Sequence, residues 1–225
     1  MQVRGAHGGV TAAIKDVYRS EDGVTRLERL GSYVVGSEDA PEPRAALAAL
    51  RDVENAGFEQ LLTEQRAAWG NFWEAADIQV EDDPELQRAI RLALFQLAAS
   101  VGEEGETALG ARGLTGPGYR GHVFWDADIF VLPFLAATRP QAARTLLEYR
   151  ARRLPAAFRE AHASGRDGAR FPWESARSGR DVTPDRSRAA GETIPILTGQ
   201  LGEHIIADVV WGVACYLDWT GDQEF

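Results

Sequence analysis

The sequence predicts a mainly α-helical protein opened by a short β segment, and three observations carry the prediction. Apolar residues recur at helical spacing through most of the chain after residue 43. Prolines and glycines stand where helices start and stop. Turn residues and β-branched residues without helical periodicity fill roughly the first 40 positions.

Residues 1 to about 40 contain Gly8-Gly9, AIKDVYR, Ser20-Glu21-Asp22-Gly23 and VTRLERLGSYVV, which read as one or two β-hairpins of short strands. Two or three short strands are not stable alone in water, so the segment is expected to belong to a larger sheet. Pro41 and Pro43 flank Glu42 in a linker, after which Leu47, Leu50, Phe58, Leu61 and Leu62 lead at helical spacing to Trp69 and Trp73. Asp83-Pro84-Glu85 is a helix start, with Asp83 as the cap, Pro84 at the first helical position and Glu85 complementing the dipole. Leu86, Ile90, Leu94 and Leu97 then form one apolar stripe.

Glycines 102, 105, 110, 113, 116, 118 and 121 punctuate a loop, followed by IFVLPFLAA, apolar on nearly all sides. That run predicts a buried helix kinked at Pro133. Pro140 starts a helix with Leu147, Leu154 and Phe158, bent at Pro155 and stopped near Gly165. Ser175 to Gly191 is polar and aperiodic, as a functional or a mobile loop would be. Ile206, Val209, Val210, Val213 and Leu217 mark a last helix ending at Gly221. Helices alternating with loops that hold the unusual residues suggest a toroid of paired helices, its site built from loops at one rim.

The 225 residues, 44% hydrophobic, have the composition of one or two globular domains. A net charge of −10 and a pI near 4.9 argue against nucleic-acid binding, which needs clustered Lys and Arg. The basic run Arg150 to Arg153 reads as a solvated helix face. Cys215, the single cysteine, stands in VVWGVACYL and reads as a buried small hydrophobe. The start MQVRGAHGGV has no apolar targeting core, and Phe130 to Ala137 is too short to cross a bilayer. A cytoplasmic protein without a membrane partner is the expectation.

The most informative stretch is Ala111 to Phe130, ARGLTGPGYRGHVFWDADIF, with FPWES further on. Trp125 precedes Asp126 and Trp173 precedes Glu174, so each loop pairs an aromatic face with a carboxylate. Sugars are held that way: rings stack on their C–H faces and carboxylates accept from their hydroxyls. Each pair also has a purely structural explanation. Asp126 suits a helix cap, and Glu174 has Arg170 and Arg177 nearby as salt-bridge partners. The recurrence of the pattern in two loops favours the site.

Gly116 to Gly121 matches G-x-G-x-x-G, but ALGARGLT is not the buried strand a dinucleotide site needs. Glu203-His204 lacks a second His four residues on, so no metal site is expected. His122 is a better polar-site candidate than His7 or His162. Ser100, Ser175 and Ser187 lack a nucleophile elbow.

At ARGLTGPGYRGHVFWDADIF, FPWESA, DVTPD and GEHIIADVVWGV with TGDQEF, the chain resembles the central part of glycoside hydrolase family 65, most strongly from about Leu86 to Phe225. The family contains maltose, trehalose and kojibiose phosphorylases and related hydrolases. The resemblance implies that residues 1–40 are the tail of an N-terminal β-sandwich, 41–80 a helical linker, and 81–225 the first part of an (α/α)6 catalytic barrel. It implies inverting phosphorolysis of an α-glucosyl disaccharide to β-glucose 1-phosphate, with Trp125, Asp126, Trp173 and Glu174 holding the glucose. Inorganic phosphate would attack as co-substrate while a carboxylic acid protonates the leaving oxygen, so neither a further cofactor nor a catalytic base is implied. The general acid and phosphate site would lie beyond Phe225, leaving no catalytic residue in this chain and a fragment inactive by itself. Homodimers are implied for the whole enzymes. Hydrolysis of the same bond, or a non-catalytic carbohydrate-binding remnant, are the alternatives. The disaccharide linkage is not legible. If the toroid forms, both tryptophan-carboxylate loops should converge on one rim, with both carboxylates facing a common concavity.

Overall fold

The computed structural model describes residues 2–5, 8–36, 43–103, 108–189 and 191–225. His7, Pro41, Glu42 and Gly105 lie outside them. The chain divides into two compact units, Met1–Glu74 and Ala75–Phe225.

In the first unit, β1 (Gln2–Gly5), β2 (Gly8–Glu21) and β3 (Val24–Gly36) form an antiparallel meander. The expected hairpin is present, but its strands run to 14 and 13 residues. Asp22 and Gly23, at φ 49° and 76°, close it in the tight turn whose twist suits paired strands. Side chains alternate between faces. Thr11, Leu30 and Ser32 are buried, and the Ser32 hydroxyl donates to the Ala46 carbonyl of the following helix at 2.6 Å. Ile14, Tyr18, Leu27 and Tyr33 on the opposite face are exposed. That helix, α1 (Pro43–Ala76), is interrupted at Gly57, whose φ of 76° breaks the helical path. Near its end Trp69, Phe72 and Trp73 cluster, with ring centroids 4.9 to 6.0 Å apart.

The second unit is built on helices. In α2 (Pro84–Ser100), Asp83 Oδ1 accepts from the Leu86 amide at 2.9 Å, the cap the sequence implied. The expected kinked helix around Pro133 is replaced by two segments. Ala127–Val131 winds as a wide π-type turn, and α3 (Leu132–Thr138) starts with Pro133 in its first turn, where a missing N–H costs no helical bond. Nor is the run buried on all sides: Phe130 is exposed. α4 (Pro140–Ala163) runs through Pro155 without interruption, and α6 (Ile205–Thr220) ends on a left-handed Gly221. These helices enclose Leu132, Leu135, Leu146, Leu147 and Tyr216. Cys215 packs half-buried against that core, and burial pushes its thiol pKa up.

The polar stretch from Ser175 to Gly191 holds more order than its sequence suggested. It includes the end of β5 (Glu174–Ser175) and β6 (Arg186–Ala189), which pairs with β7 (Glu192–Pro195) in a hairpin. A short α5 (Thr198–Leu201) leads on to α6.

The basic run on α4 is not a solvated face. Arg150 and Arg153 are buried, with relative exposures of 2% and 8%, and of the three arginines Arg152 alone faces solvent, beside Glu148 at 3.3 Å. Spacing explains it: positions three apart share a helix face, and here that face is covered.

Candidate functional site

The two tryptophan-carboxylate loops meet through a small sheet. β4 (Val123–Phe124) pairs antiparallel with β5, opposing Phe124 to Glu174 and Val123 to Ser175. Gly110 bridges to Val123 on one side, and Asp181 bridges to Ser175 on the other. The glycine-rich loop makes this approach possible. A Cβ on Gly110 would sit 3.0 Å from the Gly121 Cα, tighter than nearly all Cβ contacts, and Gly121 itself has φ 76°. Gly118–Gly121 forms a tight turn in which Tyr119 and Arg120 take left-handed backbone, φ 59° and 54°, and the strands described are all paired antiparallel, so the G-x-G-x-x-G match is a turn and not a dinucleotide loop.

α4 anchors both strands from beneath. Tyr149 Oη lies 2.8 Å from Ser175 Oγ and donates to the Ala176 carbonyl at 2.9 Å. Arg153 Nε donates to the same carbonyl, with its guanidinium 3.7 Å over the Tyr149 ring. Arg150 donates to the Phe124 carbonyl and to the wholly buried Asp128.

On this frame Trp125 and Trp173 stand with ring centroids 6.0 Å apart, and His204 from the start of α6 meets them edge-on at 5.0 and 5.7 Å. Phe130 adds a fourth ring 6.1 Å from Trp125. Trp125 Nε1 is buried without a hydrogen-bond partner among the described residues. A cavity of about 760 Å³ opens beside this cluster, lined by Arg112, Tyr119, Phe124, Asp126, Phe130 and Trp173 among others. A ring-lined concavity with a few polar groups is the usual form of a small-molecule site.

The four sequence candidates therefore occupy one place in different ways. Asp126 is exposed, makes no cap hydrogen bond and lines the cavity with Trp173. Trp125 stands behind, in the aromatic cluster. Glu174 is 6% exposed, and its Oε1 lies 2.7 Å from His122 Nδ1. Its partner is thus His122 from the glycine loop, not Arg170 or Arg177. The loops converge, but the carboxylates do not both face the open space. His204 and Arg150 went unread as site residues: His204 sits beside Glu203 in an ordinary helix start, and Arg150 hides in a charged run. Glu203 instead pairs with Arg166 at 2.8 Å. Among the described residues no group of three or more His, Cys, Asp or Glu is placed to hold a metal ion, and no helix is long and apolar enough to cross a membrane.

The family model of the glycosyl hydrolase family 65 central catalytic domain matches residues 91–225, which contain all of these groups. The chain belongs to glycoside hydrolase family 65. A kojibiose phosphorylase of Caldanaerobacter subterraneus subsp. tengcongensis is 44% identical over 178 residues, 78% of this chain and 23% of that protein. An α,α-trehalose phosphorylase of Thermoanaerobacter brockii is 38% identical, covering 88% of this chain and 24% of its own length. A kojibiose hydrolase of Flavobacterium johnsoniae is 38% identical over 75% of the chain and 23% of that protein. The chain thus spans about a quarter of the length of these family 65 relatives. The fold agrees with a solved structure of a human-microbiome protein assigned as a kojibiose phosphorylase, with a TM-score of 0.80 over 100% of this chain and 32% of that one, at 19% identity.

Proposed function

We propose that this family 65 chain carries part of the glucose-binding subsite of an enzyme that cleaves an α-glucosyl disaccharide by inverting phosphorolysis, releasing β-glucose 1-phosphate. One observation carries the reading: the β4–β5 pairing brings Trp125 and Trp173 together, with Asp126 and Trp173 on the same 760 Å³ cavity. Trp173 offers a ring to a pyranose face and Asp126 accepts its hydroxyls, while Trp125 and the His122-held Glu174 complete the subsite. Phosphate enters as the attacking co-substrate, and a carboxylic acid outside these four residues protonates the leaving oxygen. In this reading residues 1–40 are the tail of a β-sandwich, 41–80 a linker and 81–225 the first part of an (α/α)6 barrel, and the working enzyme is a cytoplasmic homodimer.

Calorimetry with glucose, maltose and kojibiose tests the subsite. Binding is expected, and weakening by about tenfold or more in Trp173→Ala and Asp126→Ala, the order of a lost stacking ring or charge-assisted hydrogen bond. Unchanged binding in both variants, or none in the parent chain, overturns it. With phosphate added, no turnover is expected from these residues alone; glucose 1-phosphate would mark phosphorolysis by an acid within this chain, and free glucose formed without phosphate would mark hydrolysis.

A further inference from the structure

Trp125 and Asp126 stand where β4 runs into the wide turn, and the Trp125 carbonyl accepts from the Asp128 amide at 2.9 Å and the Ile129 amide at 3.4 Å. Wide turns like that from Ala127 to Val131 are rare and recur at functional sites. A side chain from α4 ties the two ends of this stretch together. Arg150 Nη2 donates to the Phe124 carbonyl at 3.1 Å and to Asp128 Oδ2 at 2.6 Å, and its Nε lies 3.2 Å from both Asp128 oxygens. Phe124 and Asp128 bracket Trp125 and Asp126 in sequence. The same guanidinium stands 5.8 Å from the Phe171 ring, two residues before Trp173, so one cation touches both loops of the cavity.

We propose that Arg150 is a positioning residue of the sugar subsite: its buried guanidinium grips the Trp125–Asp126 turn at both ends and sets where those two side chains stand. The functional consequence rests on the reading of the cavity as a sugar subsite; the geometry does not. Side-chain exposures of 3% for Arg150 and 0% for Asp128 mean that both charges are fully desolvated. A buried pair of this kind is commonly no more stabilising than apolar residues of the same volume, so stability alone does not account for it. A planar fork binding a carboxylate and a carbonyl together fixes direction, which a lysine ammonium does not.

Three variants of the chain separate positioning from bulk stability: Arg150→Lys, Arg150→Met, and Arg150→Met combined with Asp128→Leu. Arg150→Met strands Asp128 in the interior, so its loss of stability is uninformative by itself. The double variant leaves no charge stranded and should keep its urea midpoint near that of the parent. Hydrogen exchange at the Asp128 and Ile129 amides, which donate to the Trp125 carbonyl, is nevertheless expected to speed up by about tenfold or more in the double variant and in Arg150→Lys, the order expected for loss of a hydrogen bond to a charged group. Kojibiose affinity by calorimetry should fall by a similar factor. Parent-like exchange at those amides in both variants overturns the inference. So does acceleration spread evenly over residues 75–225 with a lowered midpoint, because that is the mark of a structural pair. If local exchange rises while the parent chain binds no sugar, Arg150 positions the turn and it is the sugar reading that fails.

Discussion

Two carboxylates that each directly follow a tryptophan have opposite environments in this family 65 chain. Asp126 stands open at the cavity, whereas Glu174 is closed against His122 at 2.7 Å. The side-chain exposures of 20% for His122 and 9% for Glu174 make that contact a largely desolvated tie between the glycine loop and β5. His122→Ala would leave a buried acceptor without its donor, at a cost of about 1–3 kcal/mol. Urea denaturation measures it. The comparison with Glu174→Gln, which retains an oxygen acceptor, and with the double variant decides whether the cost belongs to the pair: a double variant as destabilised as the sum of the singles would show that the two do not interact.

Between elements, the clearest polar tie joins α4 to the end of α6. Asp222, just past Gly221, accepts from Tyr216 Oη at 2.7 Å and pairs with Arg144, and Phe225 meets the Tyr216 ring edge-on at 5.5 Å. The Tyr216 hydroxyl, followed by the Glu224 amide and the Arg144 guanidinium, holds the Asp222 carboxyl below the usual carboxylate range. A carboxylate lowered on folding adds stability that is complete above its unfolded pKa of about 4 and disappears as the pH falls through the folded value. Acid titration of the melting temperature should therefore show a loss below about pH 4 that is smaller in Asp222→Asn. An unchanged acid limb in that variant would mean that other carboxylates carry it.

At the scale of the whole chain, the two units hold cores of different size. Among the described residues the first buries the apolar side chains of Ala12, Leu30, Ala46 and Leu50, two of them alanines; the second buries a larger cluster from Val101 to Tyr216. Thermal unfolding followed by circular dichroism is expected to resolve two steps, the weaker belonging to residues 1–74. Leu132→Ala, at a site with 0% exposure, should lower the later step by about 2–5 kcal/mol and leave the earlier one in place. A single transition displaced as a whole would show that the units unfold as one.

The sequence by itself determined what local chemistry determines. Asp83-Pro84 starts a helix because a carboxylate oxygen and a missing N–H both suit its first turn, Asp22-Gly23 closes a hairpin because both adopt positive φ, and the tryptophan-carboxylate motifs mark a polar-aromatic place in a family 65 chain. Motif likeness made the family legible, while the wide turn after Trp125 was not, since its bond pattern has no periodic signature. Only the tertiary structure decided which charges are buried. Arg150 and Arg152 are the same residue type two positions apart, and one is locked inside on Asp128 while the other faces water. Burial is set by what packs over a helix face, and for α4 that cover comes from β4, β5 and the turn after Trp125, segments brought there by pairings between residues about 50 positions apart.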